Sequence, residues 1–329
     1  MLSHIVLFIL GLGILYLGAD WLIDGSSEVA RKFGIRPLII GLTIVALGTS
    51  IPEFLLNLFA VAAGEDGLAI GNIIGSNIAN IALILGISAL LMPLSFGGSA
   101  LKKEYPMMLA VTGLFYLLSA DGMISRMDGA ILMGGLVAFL VFVIRDASQT
   151  PAAPTSEPEE DPLFVPHSGL KKWLHDEKTG PFMRILLIVA GMASLAIGAR
   201  LMVDSSIAIA EFLGISPVII GLTIVAVGTS LPELAASLMA SFKNESDLSV
   251  GNILGSNLLN ILFVIGLVAM IQPMEVESET LRFHMPAMVA FSLLLWPLAR
   301  RNNELSRTGG LILLAGFASY IIWLTIQAL

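Results

Sequence analysis

Apolar residues in this chain fall into ten blocks, near 3–23, 37–63, 67–93, 104–120, 127–144, 183–203, 217–242, 248–272, 283–299 and 308–327. Charged residues gather mostly between them. A block of roughly 20 apolar residues is what an α-helix needs to cross the hydrocarbon of a bilayer. The pattern therefore predicts an all-α, multi-pass membrane protein with ten spanning helices. The first block could be taken for a signal peptide, but its counterpart in the repeat described next, 183–203, lies inside the chain where no peptidase would remove it. It is read as the first membrane helix.

Two blocks are interrupted in the same way. Residues 41–53 read GLTIVALGTSIPE and residues 221–233 read GLTIVAVGTSLPE, differing only at Leu47/Val227 and Ile51/Leu231. The same offset of 180 residues carries GNIIGSNIANI (71–81) onto GNILGSNLLNI (251–261), and FGIRPLII (33–40) onto LGISPVII (213–220). One register held over that length means a duplication. Each half holds five blocks, and an odd number turns the second half upside down in the membrane. Inverted repeats with interrupted helices are a transporter architecture.

Composition removes the soluble alternative: 56% of the 329 residues are hydrophobic, 13% are charged, and mean hydropathy is +0.91. Charge sets an orientation. With both termini outside, 14 basic residues fall in inner loops and only Arg126, Arg200 and Arg282 in outer ones; without the long central loop the ratio is still 9 to 3. The positive-inside rule then makes that central loop cytoplasmic. The halves are expected at 1–145 and 182–329, joined by a linker at 146–181 whose SQTPAAPTSEPEEDP is rich in proline, serine and acid, as a solvated connector would be. Its EPEED run is read as solvated rather than as a calcium site, and LKKWLHDE as a candidate interfacial helix. The net charge of −8 owes much to this segment and says little about partners. The absence of cysteine excludes disulfides, thiolate metal sites and cysteine nucleophiles.

Most carboxylates lie in loops or near block ends, but Glu53 and Glu233 do not. An acid at membrane depth costs at least roughly 2.5–3.5 kcal/mol and normally faces a pathway or an ion. The structural alternative, a protonated glutamate bonded between helices, suits one such residue better than a pair related by a repeat. Pro52 and Pro232 remove an amide hydrogen and collide with the carbonyl four residues back, so carbonyls near Ala46–Gly48 and Ala226–Gly228 are expected to lose helical partners. Thr49 and Glu53 share a helix face, with Asn57 one turn on. Asn72, Ser76 and Asn80 form an i, i+4, i+8 stripe mirrored by Asn252, Ser256 and Asn260. Asn77 and Asn257 lie off that stripe and are read as interhelical or backbone partners. Two acids and only oxygen donors suit a hard cation such as calcium. None of these four polar segments carries a histidine or thiol for zinc or copper, and the four histidines lie near a terminus, in the linker or near a span end.

Together GTSIPE/GTSLPE and GNIIGSNIAN/GNILGSNLLN resemble the α-repeats of the cation/calcium exchanger superfamily, especially its prokaryotic sodium/calcium exchanger branch. The resemblance covers nearly the whole chain. It implies ten helices with broken helices 2 and 7, and sodium and calcium competing for overlapping sites between helices 2, 3, 7 and 8. By the same resemblance Glu53 and Glu233 are shared ligands, and Thr49, Ser50, Thr229 and Ser230 add hydroxyl or carbonyl oxygens, as do the backbones of Ala46 and Ala226. Ser76 and Ser256 would bind flanking sodium, and Asn80 would be the central amide. Asn260 departs from the pattern, since well-known sodium/calcium exchangers carry aspartate there. The reading is a secondary antiporter in the cell membrane, with calcium and sodium ions (protons in the alternative) and the lipid bilayer as partners. No cofactor and no nucleic acid are expected. A proton/calcium or other divalent-cation exchanger is the alternative. A channel fits a tight cage less well, and an intramembrane hydrolase lacks HExxH and GxSxG motifs, although Asp20 and Asp204 could be mistaken for an aspartyl dyad.

Overall fold

The computed structural model describes residues 2–97, 100–149, 181–213 and 226–327. Most of the predicted linker, the LGISPVII segment after its first residue and the start of the seventh predicted span lie outside them. The described chain is helical almost throughout: α1 Leu2–Phe33, α2 Pro37–Thr49, α3 Ile51–Ala62, α4 Asp66–Leu91, α5 Glu104–Leu118, α6 Arg126–Gln149, α7 Pro181–Phe212, α8 Ala226–Gly228, α9 Leu231–Phe242, α10 Ser246–Ile271, α11 Thr280–Ala299 and α12 Arg307–Gln327. Among the described residues seven helices are long and apolar enough to cross a membrane, and α2 with α3, bent by 44°, makes an eighth. The shorter α5 and α9 are also apolar.

Burial sorts these helices. The most apolar windows of α4 and α10 are 78% and 83% buried, against 17–28% for the other five long spans. The outer helices therefore turn apolar side chains such as Leu10, Val137 and Ile312 outward, as a lipid-facing surface requires, while α4 and α10 form the axis. Polar stripes are tolerable on these two because protein covers most of their surface.

One hydrophobic core packs α4 and α10 against α5, α6, α11 and α12; a second joins α1 and α7 with parts of α2 and α9. In the second, α1 and α7 run antiparallel: Gly198 lies against Leu15 and Gly11, and Gly191 against Leu22 and Gly18, where an added Cβ would sit 2.6–2.8 Å from backbone atoms. Gly11 and Gly18 correspond to Gly191 and Gly198 through the 180-residue offset, so the contact maps onto itself when the halves are exchanged.

The short strands behave in the same way. Antiparallel β1 (Leu94–Ser95) and β4 (Glu304–Leu305) pair at one end of the bundle, and β2 (Met123–Ile124) and β3 (Met274–Glu275) at the other. At the first end Arg36 pairs with Glu104 and Asp146, Lys103 with Asp146 at 2.6 Å, and Gly97 N–H donates to Asp247 at 3.3 Å. At the other, Glu275 N–H donates to Asp66 at 3.0 Å and Gln272 to the Val61 carbonyl at 3.2 Å.

The structure differs from the sequence reading at α1, which continues ten residues past the predicted end at 23. Its extra turns carry Asp24 and Glu28, and hydropathy alone stops there. They stay helical and buried because Lys243 reaches Asp20 at 2.6 Å and Asp24 at 2.7 Å, while Arg31 and Arg184 pair with Glu28.

Candidate ion-binding site

The two prolines break their helices as the residues require. Pro52 is the second residue of α3 and cannot donate to Gly48; the chain turns at Ser50 (φ −85°, ψ 0°), and α3 starts afresh. Pro232 does the same in α9, after Ser230 at φ −90° and ψ 8°. Each restart creates a helix N-terminus in the protein interior, and Glu53 and Glu233 sit in its first turn, where the helix dipole favours a carboxylate. Both are completely buried. The turn that opens α3 lies against the second acid, its Ser50 hydroxyl reaching Glu233 Oε1. Lys243 is the basic residue nearest in sequence to Glu233, ten residues on and so about 15 Å along the helix.

Oxygens from α4 and α10 complete the surroundings. Thr49 Oγ1 lies 3.2 Å from Asn252 Oδ1, to which it donates, and Thr229 Oγ1 donates to Asn72 Oδ1 at the same distance. These are one interaction seen twice through the repeat. Ser50 donates to Glu233 Oε1 at 3.4 Å, Thr49 and Ser256 hydroxyls are 3.4 Å apart, and Asn252 Nδ2 donates to Ser237 at 2.9 Å. Asn57 Nδ2 donates to the Glu53 carbonyl at 2.6 Å. Asn80 and Asn260 each open a π-helical turn. Such a turn bulges the helix and is frequent at functional sites; here it leaves the amides directed across the bundle, Asn80 Nδ2 donating to Asn257 and Asn260 Nδ2 to Asn77.

The remaining lone pairs distinguish this site from an ordinary polar core. Both carboxylate oxygens of Glu53, Glu233 Oε2, the hydroxyls of Ser76 and Ser230, and Oδ1 of Asn80 and Asn260 are buried without a hydrogen-bond partner. Leaving one such group unsatisfied costs about 1–3 kcal/mol, so a cluster of seven is expensive unless something else binds them. All seven can accept, and five of them can only accept. No three His, Cys, Asp or Glu side chains cluster among the described residues, so any cation here is held by two carboxylates and neutral oxygens.

Of the residues that the sequence singles out, the fold joins Thr49 to Ser256 and Ser50 to Glu233 directly. Thr49, Ser50, Glu53, Ser76, Asn80, Ser230, Glu233, Ser256 and Asn260 are all buried, with Thr229 half-buried. Ala46 differs from expectation: its carbonyl accepts the Ser50 amide at 3.0 Å and has the Thr49 hydroxyl within 3.3 Å, so the turn before Pro52 keeps its helical bond and this carbonyl is not left without partners. The backbone of Ala226 opens α8, while its side chain lies outside the described set. Ser237 was missed; it stands four residues after Glu233 on the same face, a spacing that could have found it.

Comparison with known proteins identifies the family. The model of the sodium/calcium exchanger protein family matches residues 3–145 and again residues 183–326. The chain is 38% identical to the putative antiporter CaxA of Alkalimonas amylolytica, covering 97% of this chain and 98% of that one. It is 31% identical to the sodium/calcium exchanger MaX1 of Methanosarcina acetivorans over 97% of each. Among solved structures it superposes on the sodium-calcium exchanger NCX_Mj, soaked with sodium and calcium, with a TM-score of 0.80, 31% identity and 98% of each chain covered. Two family matches in tandem, full-length relatives and a shared fold leave one conclusion: the chain belongs to the sodium/calcium exchanger family.

Proposed function

We propose that this protein is a secondary antiporter that exchanges calcium for sodium across a cell membrane by alternating access, with no enzymatic step. It does so as two inverted five-helix repeats, 1–145 and 182–329, with both termini outside and the 146–181 linker cytoplasmic. The observation that carries the reading is the set of seven unpartnered buried oxygens around Glu53 and Glu233. Calcium takes six to eight oxygens at roughly 2.3–2.6 Å, and this cage can supply them without histidine or thiol. The relatives named for sodium/calcium exchange, and the solved exchanger soaked with both ions, support the same substrates.

In this reading Glu53 and Glu233 neutralise the cation. Ser230, with Thr49, Ser50 and Thr229, adds hydroxyl or carbonyl oxygen, and the backbones of Ala46 and Ala226 add carbonyls. Ser76 and Ser256 serve flanking sodium sites. Asn80 and Asn260 contribute neutral amide oxygens. Two ionised glutamates give a charge of −2, matched by one calcium or two sodium ions. Carrying that charge bare through a dehydrated barrier costs several kcal/mol per ion even after relaxation, whereas a loaded site crosses near neutrality. Obligatory exchange follows from that difference.

A second reading, proton/calcium exchange, is favoured by one feature: Asn260 cannot ionise, so the inner cage holds two titratable groups and two protons would also neutralise it. Calcium binding to the purified protein tests the shared core of both readings. Glu53→Gln and Glu233→Gln should each abolish it while the protein stays folded. Sodium should displace calcium from the parent at constant pH. Retained binding in either variant would make that glutamate structural, and displacement by protons but not sodium would select the second reading.

A further inference from the structure

We infer that Asn77 and Asn257, which the exchange reading leaves without a role, are positioning residues that fix the two central amides with their oxygens toward the ions. The inference rests on the cation-binding reading above.

Each of the two residues lies one turn before a central amide, on the flank of its helix, and is 1% exposed. Their side chains cross the interface between α4 and α10 in a reciprocal clasp. Asn77 Nδ2 donates to the Asn257 carbonyl at 3.4 Å, and Asn257 Nδ2 donates to the Asn77 carbonyl at 3.4 Å. The amides are thereby oriented by backbone acceptors that cannot change role. With nitrogen fixed on that side, each Oδ1 is presented to the opposite helix. There Asn77 Oδ1 accepts from Asn260 Nδ2 at 3.0 Å, and Asn257 Oδ1 accepts from Asn80 Nδ2 at 2.9 Å.

The consequence is a chain of fixed polarities. An asparagine amide reads almost the same in either flip, and a cation accepts only its oxygen. At Asn80 and Asn260 the flip is decided by the clasp: the nitrogen is held by an acceptor, so Oδ1 must point away, and both Oδ1 atoms are among the unpartnered buried oxygens. The flipped amide would set oxygen against oxygen at about 3 Å and turn a donor toward the cation. The clasp also explains the departure at Asn260 in physical terms. Asn77 Oδ1 requires a donor there, which an amide always supplies and an ionised carboxylate does not. The clasp thus favours a neutral residue at this position and keeps the cage at two carboxylates.

Double-mutant cycles on calcium affinity test this. Asn77→Ala and Asn257→Ala should each weaken calcium binding about tenfold, the scale of one well-made buried hydrogen bond. Coupling should follow the cross-helix pairs. Asn77→Ala combined with Asn260→Ala should cost little more than Asn260→Ala alone, and likewise for Asn257 with Asn80. Asn77 with Asn80, and Asn257 with Asn260, should add. If an alanine variant is not recovered folded, Asn77→Ser and Asn257→Ser carry the same cycles with a smaller loss of volume. A purely structural role would lower the Tm without that pattern of coupling. Unchanged affinity, or additivity across all four pairs, would overturn the inference. The two readings fail separately: a parent that binds no calcium refutes the exchange reading, whereas a parent that binds it through Glu53 with Asn77→Ala unaffected refutes the clasp alone.

Discussion

Gly251→Ala places one methyl group at the contact that sets the distance between α2 and α10. An added Cβ there would sit 2.4 Å from the Leu38 carbonyl oxygen and 3.1 Å from Gly41 Cα and Leu42 N, all backbone atoms. One turn on, Gly255 faces the Leu42 carbonyl in the same way, at 2.6 Å. Ordinary contact begins about 1 Å farther out, so α10 must retreat by about that much, and overpacking of this kind typically costs about 1–3 kcal/mol. The retreat carries Asn252 and Ser256 with it. Thr49 Oγ1, now 3.2 Å from Asn252 and 3.4 Å from Ser256, would move beyond hydrogen-bond range. A displacement of about 1 Å in a preorganised site can lower turnover about a hundredfold. Calcium uptake into proteoliposomes should therefore fall by one to two orders of magnitude, with a larger half-saturating calcium concentration and a modest fall in Tm. Gly134→Ala is the control. It lies on the exposed side of α6 with no described atom within 4 Å of the added Cβ, so it should lower neither uptake nor Tm. Parent-like uptake and half-saturation in Gly251→Ala would refute the reasoning that close approach of these helices sets the site.

Lys243→Met should cost about 3–5 kcal/mol, because it leaves Asp20 and Asp24 buried without their cation. Thermal unfolding in detergent measures it, and adding Asp20→Asn and Asp24→Asn should recover most of the loss; a parent-like Tm in the single variant would refute the pairing. Asn260→Asp introduces a third ionisable group whose protonated form keeps a donor toward Asn77 and whose ionised form does not, so calcium affinity should depend on pH more steeply than in the parent. Superimposable affinity–pH curves would mean that residue 260 does not face the ions. For orientation, Ala120→Cys and Lys102→Cys sit on exposed turns at the two ends of α5, in a chain that has no other cysteine. An impermeant thiol reagent on right-side-out vesicles should label the first and spare the second, and the reverse would invert the topology.

Much of the site was legible in the sequence because the duplication repeats its chemistry. A single buried glutamate after a proline has a structural explanation, but Glu53 and Glu233 in matched register leave little room for one. The polar stripe Asn72–Ser76–Asn80 and its mirror were readable from helical spacing alone. The length of α1 was not legible, because hydropathy treats Asp24 and Glu28 as a terminus, whereas the fold neutralises them with Lys243 and Arg184 from far along the chain. The π-helical turns at Asn80 and Asn260 were equally hidden, since no residue-level pattern separates them from a regular helix. The donor and acceptor directions that give Asn77 and Asn257 a role depend on how α4 and α10 meet, which is a property of packing rather than of spacing.

Calcium flux under an imposed ion gradient tests the central claim most directly. Purified protein in sodium-loaded liposomes, diluted into sodium-free buffer containing calcium, should accumulate calcium, and the same liposomes without a sodium gradient should not. Collapsing any proton gradient with an ionophore should leave the uptake intact, and Glu53→Gln or Glu233→Gln should abolish it. Calcium accumulation that needs no counter-ion gradient, or that persists when both glutamates are replaced, would contradict the account.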